Sequence, residues 1–208
     1  MRRTVLLSST LAALLAACAK PATQPSAPAP AQAASAPKPG ILPMLPPEKE
    51  GDLPCDPKDR GPLLIGPATR ETILAHRPVF RTNTEKALLD PAWQARWKAV
   101  DTPMVLVTAF GSWCGDSQRE MPDMLALDAL GNPFITVHYF GVYRDKKAQD
   151  AYWPKGLPPQ PLSHVPTFWL YVQQPGGGWK FVDSIVENPP KKGQRMGEAI
   201  LEMVERAK

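Results

Sequence analysis

Two stretches of the chain are strongly apolar, and the residues around them distinguish their roles. The first, residues 5–17, follows Arg2 and Arg3 and ends on small side chains. A positive start followed by an apolar run too short to span a bilayer is typical of an export signal. The second, residues 104–110, is almost continuously apolar. That pattern predicts a strand covered on both faces of a sheet.

The pattern after residue 57 predicts helices and strands that largely alternate. Helices are expected at 67–75, 92–100, 114–130, 145–153 and 190–208, and strands at 77–82, 104–110, 133–143, 167–172 and 179–186. Asp90 and Pro91 form a favourable helix start, whereas Pro122 removes a backbone hydrogen bond inside helix 114–130. The order of elements favours an α/β fold in which a mixed sheet has helices on both faces.

Residues 20–57 show no apolar period, and eleven prolines lie between Pro21 and Pro57. Such a segment cannot bury enough apolar surface to offset its conformational entropy, and a Pro-rich chain acts as a semi-extended spacer. We therefore expect three parts: a signal peptide at 1–17, a tether at 18–57, and one globular domain at 58–208, which is long enough to build a core.

Charge gives little support for a nucleic-acid partner. The formal net charge is +4 at pH 7, and removal of Arg2 and Arg3 leaves about +2. The remaining basic residues are scattered along the chain, and no basic groove with interleaved aromatic residues is visible. We expect no nucleic acid among the partners.

Cys18, the first of three cysteines, follows Leu15, Ala16 and Ala17. This segment resembles the lipobox of bacterial lipoproteins. The resemblance implies cleavage before Cys18 and lipid attachment to it, and two or more acyl chains anchor a protein stably. Ala19 resembles the pattern for outer-membrane rather than inner-membrane retention, on the periplasmic side. The alternative is an ordinary secretory signal cut nearby.

The segment Trp113-Cys114-Gly115-Asp116-Ser117 joins the apolar strand to a predicted helix. Unpaired backbone N–H groups at a helix start favour an anion, and such a setting can lower the pKa of a cysteine from about 8.5 to about 3.5–7.5. Cys114 is therefore the candidate nucleophile. Asp116 suits a helix start, but its charge opposes a neighbouring thiolate. Ser117 occupies the position at which a Cys-x-x-Cys pair would have its second thiol.

Three features together resemble the thioredoxin fold. They are a strand leading into a Trp-Cys motif at Cys114, a helix proline eight residues later at Pro122, and Val165-Pro166-Thr167 opening a later strand. The resemblance covers about residues 104–208. It implies a central mixed sheet flanked by helices, here with an N-terminal helical extension.

The resemblance also implies the layout of a site. In thioredoxin-like proteins the proline of this later motif follows a cis peptide bond and faces the active cysteine, which assigns the role to Pro166 opposite Cys114. Because Pro166 cannot donate a hydrogen bond, the backbone of Val165 is expected to pair with an extended substrate segment.

The chain departs from thioredoxins at two positions. Ser117 replaces the second cysteine, and Thr108 replaces a buried acid six residues before Cys114. Ser117 can still donate a hydrogen bond to a thiolate. His164 is a candidate to stabilise the thiolate or accept its proton, or else a loop histidine bonded locally. Cys55 is a candidate distant resolving thiol, or else an unpaired or intermolecular one.

These features favour a membrane-tethered thiol-disulfide oxidoreductase or isomerase acting through one thiol. Its expected partners are protein or peptide thiols and disulfides, with no cofactor, and no ligand spacing supports a metal. An alternative from another class is a non-catalytic peptide-binding or assembly module on the same fold. A third reading rests on Cys-Gly-x-Ser, which also occurs in monothiol glutaredoxins that use glutathione and iron–sulfur clusters. Trp113 and the export signal oppose it.

Overall fold

The computed structural model describes residues 55–56, 58, 61–87, 89–147 and 150–208. The predicted signal peptide at 1–17, the lipid site Cys18 and residues 19–54 of the predicted tether lie outside these ranges. Within them, every helix is too short or too polar to cross a membrane.

The chain is built around a five-stranded sheet with the strand order β1-β3-β2-β4-β5. In chain order the elements are β1 (Gly66–Ala68), α1 (Arg70–His76), α2 (Pro78–Lys86), α3 (Pro91–Lys98), β2 (Met104–Phe110), α4 (Gly115–Ala129), β3 (Ile135–Gly141), β4 (Thr167–Gln173), β5 (Trp179–Val186) and α5 (Met196–Arg206). Strand β2 is parallel to β3 and antiparallel to β4, and the outer pairs β1–β3 and β4–β5 are antiparallel. The mixed α/β fold with a sheet flanked by helices is therefore confirmed.

Strand β2 lies at the centre of the sheet, and all seven of its residues are buried. Side chains alternate between the two faces of a strand. Met104 and Leu106 accordingly belong to the buried cluster on one face, and Val105 and Val107 to the cluster on the other. A continuously apolar strand can be satisfied only where both faces are covered, as the sequence predicts.

The helices are distributed differently from the prediction. Buried side chains of all five α-helices belong to the same cluster as Leu106, on one face of the sheet. On the other face, Phe140 and Trp169 pack against Trp153 and Leu157 from the connection between β3 and β4. Among the described residues, aromatic side chains of this irregular connection cover the second face in place of an α-helix, which differs from the expectation of helices on both faces.

The N-terminal elements also differ from the sequence pattern. Residues 77–82 were expected to form a strand but lie in α2, which has Pro78 in its first turn, a favourable place for proline. Helix α1 begins at Arg70 rather than 67, because Thr69 caps it through hydrogen bonds exchanged with Thr72. The predicted helix 145–153 is reduced, in the described residues, to a short 3₁₀ turn at Asp150–Tyr152.

Candidate functional site

Cys114 lies at the N-cap of α4, directly after the loop that follows β2. Its carbonyl oxygen accepts a hydrogen bond from the N–H of Gln118 at 3.0 Å, and its own N–H donates to Gly111 at 2.9 Å. The residue is 9% exposed and belongs to the buried cluster that also contains Val165. The predicted placement of Cys114 at a helix start is confirmed.

Two oxygen atoms lie near the Cys114 sulfur. The Sγ–H can donate to the carbonyl oxygen of Val165 at 3.4 Å or to Oδ2 of Asp116 at 3.9 Å. The Asp116 carboxylate also binds Arg119 at 2.8 Å. The Cys114 sulfur therefore lies at the positive end of the α4 dipole and within reach of two oxygen acceptors.

The segment opposite Cys114 has the predicted backbone geometry. The Val165–Pro166 peptide bond is cis, and the Val165 carbonyl oxygen points at the sulfur. Thr167 opens β4, and its hydroxyl donates to the carbonyl oxygen of His164 at 2.7 Å. That hydrogen bond closes the turn around the cis peptide bond and fixes it against the site.

Ser117 plays a different part from the one expected. Its side chain is buried, and its hydroxyl oxygen accepts a hydrogen bond from the N–H of Gly111 at 3.1 Å. Side chains in a helix lean toward its N-terminus, which directs Ser117 back onto the loop before Cys114. No hydrogen bond joins Ser117 to Cys114 in the described part of the chain, so the expected donation to the sulfur is not seen.

Thr108, which stands in place of the buried acid of thioredoxins, is fully buried in β2. Its hydroxyl has no hydrogen-bond partner among the described residues. A buried polar group without a partner destabilises the fold by its lost hydration. This position thus provides no acid that could exchange a proton at neutral pH.

Trp113 forms a wall of the site and is held on two sides. Its indole N–H donates to the carbonyl oxygen of Val142 at 3.0 Å, and the guanidinium of Arg144 lies 4.5 Å from the ring centroid. The ring also needs a glycine at position 111, because a Cβ there would lie 2.7 Å from it. These contacts fix the position of the Trp113 ring next to Cys114, where a supporting role was predicted.

The ion pair of Asp56 and Arg144, whose guanidinium lies over the Trp113 ring, was not predicted from the sequence. The Asp56 carboxylate is fully buried and receives three hydrogen bonds of 2.6–3.0 Å from the Arg144 guanidinium. Asp56 lies at the end of the predicted tether, 88 residues from its partner. Neither residue belongs to a recognisable motif, so no local signal in the sequence indicates the pair.

The two remaining candidates are not in contact with the Cys114 sulfur. The exposed imidazole of His164 lies 3.2 Å from the Ser163 hydroxyl through Nδ1, which agrees with the local alternative. Cys55 and Cys114 are both free thiols. Cys55 is exposed and forms an isolated backbone bridge with Pro62. The described residues contain no group of three or more side chains arranged to hold a metal ion.

A groove of about 560 Å³ borders the start of α4, next to Cys114. It lies between α4, α2 and the residues before α5, and its lining includes Asn83, Gly115, Gln118, Arg119 and Gln194. Asn83 joins α2 to α4 by donating to the carbonyl oxygen of Gln118 at 2.9 Å. Gly115 carries no side chain to close this end of the groove, and a Cβ there would meet nothing within 4 Å.

Comparison with known proteins gives structural likeness only. No protein-family model matches the chain, and no curated protein matches it. Two crystal structures resemble it, each with 19% sequence identity over 68% of this chain and 87% of the other. One is a protein of unknown function from Pseudomonas aeruginosa, with a TM-score of 0.42, and the other is an engineered HIV epitope scaffold, with a TM-score of 0.43.

Proposed function

We propose that this protein is a thioredoxin-like thiol-disulfide exchange protein that acts through the single thiol of Cys114. The observation that carries the proposal is the position of Cys114 at the N-cap of α4, with its sulfur 3.4 Å from the carbonyl oxygen before cis-Pro166. A cysteine at a helix start that faces a backbone segment suits attack on the disulfide of a peptide bound along that segment.

The proposed reaction has two steps. The Cys114 thiolate attacks one sulfur of a substrate disulfide, forms a mixed disulfide, and releases the other substrate sulfur as a thiolate. A second substrate thiolate then attacks the substrate sulfur of the mixed disulfide and regenerates Cys114. Electrons balance within the substrate, which ends with a rearranged disulfide. Since Ser117 provides no second thiol, this sequence favours isomerisation or capture over net reduction.

The backbone near Cys114 offers a place for an extended substrate. Val165 lies directly before cis-Pro166, which has no N–H, and its carbonyl oxygen is already within reach of the sulfur. A peptide that lies beside Val165 would replace the Cys114 thiol as its hydrogen-bond donor. The same exchange of donors frees the sulfur from its contact with the Val165 carbonyl oxygen.

Cellular placement belongs to the proposal as well. We assign residues 1–17 to a lipoprotein signal and Cys18 to lipid attachment, so that the tether carries the domain on the periplasmic side of the outer membrane. Metabolic labelling with a radioactive fatty acid tests this assignment. Label should enter the full chain and be absent from a Cys18→Ala variant.

Activity is tested by the recovery of a scrambled disulfide protein. The full chain should accelerate recovery of native ribonuclease from its scrambled form, and Cys114→Ser should abolish the acceleration, because serine cannot form the mixed disulfide. Cys55→Ser serves as the matched control, and its recovery rate should stay close to that of the natural chain. Equal acceleration by the Cys114→Ser variant would falsify the proposal.

A binding or assembly module is the second candidate function. One observation favours it: Cys114 is 9% exposed, and both atoms near its sulfur are oxygen acceptors. If the protein is a binder, the natural chain should not catalyse disulfide exchange, and the Cys114→Ser variant should keep the affinity of the natural chain for unfolded peptides. The ribonuclease experiment therefore separates the two candidates.

A further inference from the structure

We infer that Asp56 and Arg144 are positioning residues that hold Trp113 as the substrate-facing wall beside Cys114. This inference rests on the proposed exchange function and extends it to residues outside the motif. It also connects the end of the tether to the geometry of the site. Four sets of contacts support it.

The first is the ion pair. Nε and Nη2 of Arg144 donate three hydrogen bonds to the two carboxylate oxygens of Asp56, and the backbone N–H of Lys58 donates a further one at 2.8 Å. Paired, planar contacts of this kind fix the orientation of a guanidinium as well as its position. Because the carboxylate is fully buried, loss of either partner leaves a charge that the site must rearrange to accommodate.

The second is the stacking contact. The guanidinium that Asp56 orients lies over the Trp113 ring, with Cζ 4.5 Å from its centroid. A cation over the face of an indole is attracted by the ring quadrupole. The flat guanidinium also packs along the ring, which a lysine ammonium cannot do. Asp56 therefore acts on Trp113 through Arg144.

The third is the attachment of the ring edge. Val142, two residues before Arg144, accepts the indole N–H of Trp113 at 3.0 Å. One short segment after β3 thus holds both the edge and the face of the ring. Trp113 has little freedom to rotate while both contacts are present.

The fourth is the direct connection to the reactive residue. Trp113 precedes Cys114 in a loop that is closed by the hydrogen bonds of Gly111 with Cys114 and with Ser117. A Cβ at Gly111 would collide with the ring, so ring and loop are packed as one unit. A tilt of Trp113 changes the surface that a bound peptide meets next to the sulfur.

The structure also contains a matched control pair. Arg96 and Glu205 form a bidentate ion pair with distances of 2.7 and 2.8 Å, between α3 and α5. Both side chains are partly exposed, and neither belongs to the buried cluster that contains Cys114. Because this pair lies away from the proposed site, its removal shows the effect that loss of an ion pair has on stability alone.

The experiment uses the full chain with Cys18→Ser and Cys55→Ser, in which Cys114 is the remaining thiol. The probes are an extended decapeptide whose cysteine carries a thionitrobenzoate disulfide, and free cysteine with the same group. Cys114 attacks the cysteine sulfur of either probe and releases thionitrobenzoate, which is measured by its colour. The rate with the peptide probe depends on the position of Trp113 as well as on the thiol, whereas the rate with the small probe depends mainly on the reactivity of the Cys114 thiol.

Asp56→Asn and Arg144→Gln should each raise the peptide concentration at half-saturation by about tenfold, with about twofold or smaller change for the small probe. For Arg144→Lys, the peptide concentration at half-saturation should lie between the values for these variants and the value for the natural chain. Arg96→Gln should leave both probes unchanged. Equal loss for both probes, or an equal loss in Arg96→Gln, would overturn the inference.

Two further measurements keep the outcome unambiguous. In a Trp113→Ala background, Asp56→Asn and Arg144→Gln should have no additional effect on the peptide probe, because they act through the missing ring. An undiminished effect there contradicts the inference. Hydrogen exchange of the Trp113 indole N–H should become at least about tenfold faster in Arg144→Gln than in Arg96→Gln. This signal needs no activity, so it tests the positioning even if Cys114 proves not to exchange disulfides.

Discussion

The sulfur of Cys114 lies 3.4 Å from the carbonyl oxygen of Val165, a residue 51 positions later in the chain. The contact joins the N-cap residue of α4 to the turn that precedes β4. In the proposed exchange reaction, a substrate peptide approaches Cys114 along the Val165 backbone and takes the place of this contact.

Replacement of Ser117 by cysteine should convert single-thiol chemistry into dithiol chemistry. The new thiol would lie three residues after Cys114 on the same helix and could attack a mixed disulfide from within. We expect Ser117→Cys to gain reduction of insulin disulfides with dithiothreitol as reductant, measured by turbidity, well above the natural chain.

The matched control is Ser117→Ala, which removes the acceptor of the Gly111 N–H without adding a thiol. It should show no gain in insulin reduction and should lose about 1–2 kcal/mol of unfolding free energy. Equal insulin reduction by the natural chain and Ser117→Cys would contradict the prediction.

Neutralising Asp116 should make Cys114 more reactive. The carboxylate lies 3.9 Å from the sulfur, and a negative charge at that distance opposes a thiolate. In Asp116→Asn, alkylation of Cys114 by iodoacetamide at pH 7 should be about two- to fivefold faster, with a smaller gain at high salt. The rate is read by mass spectrometry on the Cys114 peptide.

Glu120→Gln provides the comparison for this change. Glu120 also binds Arg119, at 2.6 Å, so that both substitutions remove a partner of the same guanidinium. Only the Asp116 change removes a charge in contact with the sulfur. A similar acceleration in Glu120→Gln would show that Arg119, rather than the Asp116 carboxylate, governs the alkylation rate.

Thr108→Val should stabilise the fold, because it removes a buried hydroxyl that has no partner among the described residues. We expect a gain of about 1 kcal/mol in the free energy of unfolding, measured with urea. Thr167→Val is the opposite case, since its buried hydroxyl donates to the His164 carbonyl oxygen at 2.7 Å. That variant should lose about 1 kcal/mol, and a loss in Thr108→Val would count against the prediction.

Asp128 should make the protein less stable as the pH rises. Burial raises the pKa of its carboxyl to about 6, although a hydrogen bond from the Tyr139 hydroxyl at 3.1 Å opposes the shift. The folded state therefore holds the proton more tightly than the unfolded state, whose pKa is about 3.9. The stabilisation is complete below about pH 4 and is lost as the pH rises to about 6, by at most about 3 kcal/mol. In Asp128→Asn, urea unfolding at pH 4.5 and 7.5 should lack this loss.

His138 should make the protein less stable as the pH falls, which is the opposite of the effect expected for Asp128. Burial lowers the pKa of its imidazole to about 4, below the unfolded value of about 6.5. Its neutral form stabilises the fold above about pH 6.5, and that contribution falls as the pH drops toward 4. We therefore compare the free energy of unfolding of His138→Gln with that of the natural chain. The difference should favour the variant more at pH 4.5 than at pH 7.5. The same difference at both pH values would contradict the assignment.

The central parts of the site could be predicted from sequence because their signals are local. Cys114 follows an apolar strand and opens a helix, and Pro166 stands between Val165 and Thr167 at the start of another strand. The helix start at Cys114 was predicted from this local pattern, whereas the cis bond before Pro166 was expected from the resemblance to the thioredoxin fold. The α/β class with a mixed sheet was predicted from the order of the elements along the chain.

The supporting parts could not be predicted, because they depend on contacts between distant segments. Asp56 and Arg144 are 88 residues apart, and a lone acid in a Pro-rich stretch looks like solvated surface. Residues 77–82 contain β-branched and aromatic side chains typical of a strand, yet tertiary packing of α2 on α4 through Phe80 makes them helical. Local propensity was the weaker influence at that position.

The unequal covering of the two sheet faces has a dynamic consequence. The face opposite the helices is closed by irregular chain, including Trp153, Leu157 and Val165, which lacks the regular amide ladder of a helix. Opening of such a segment costs less than global unfolding. Amide protons of residues 150–165 should therefore exchange with deuterated solvent well before those of β2 and α4. We therefore expect β2 and α4 to remain closed while residues 150–165 open, although Cys114 packs in the same cluster as Val165.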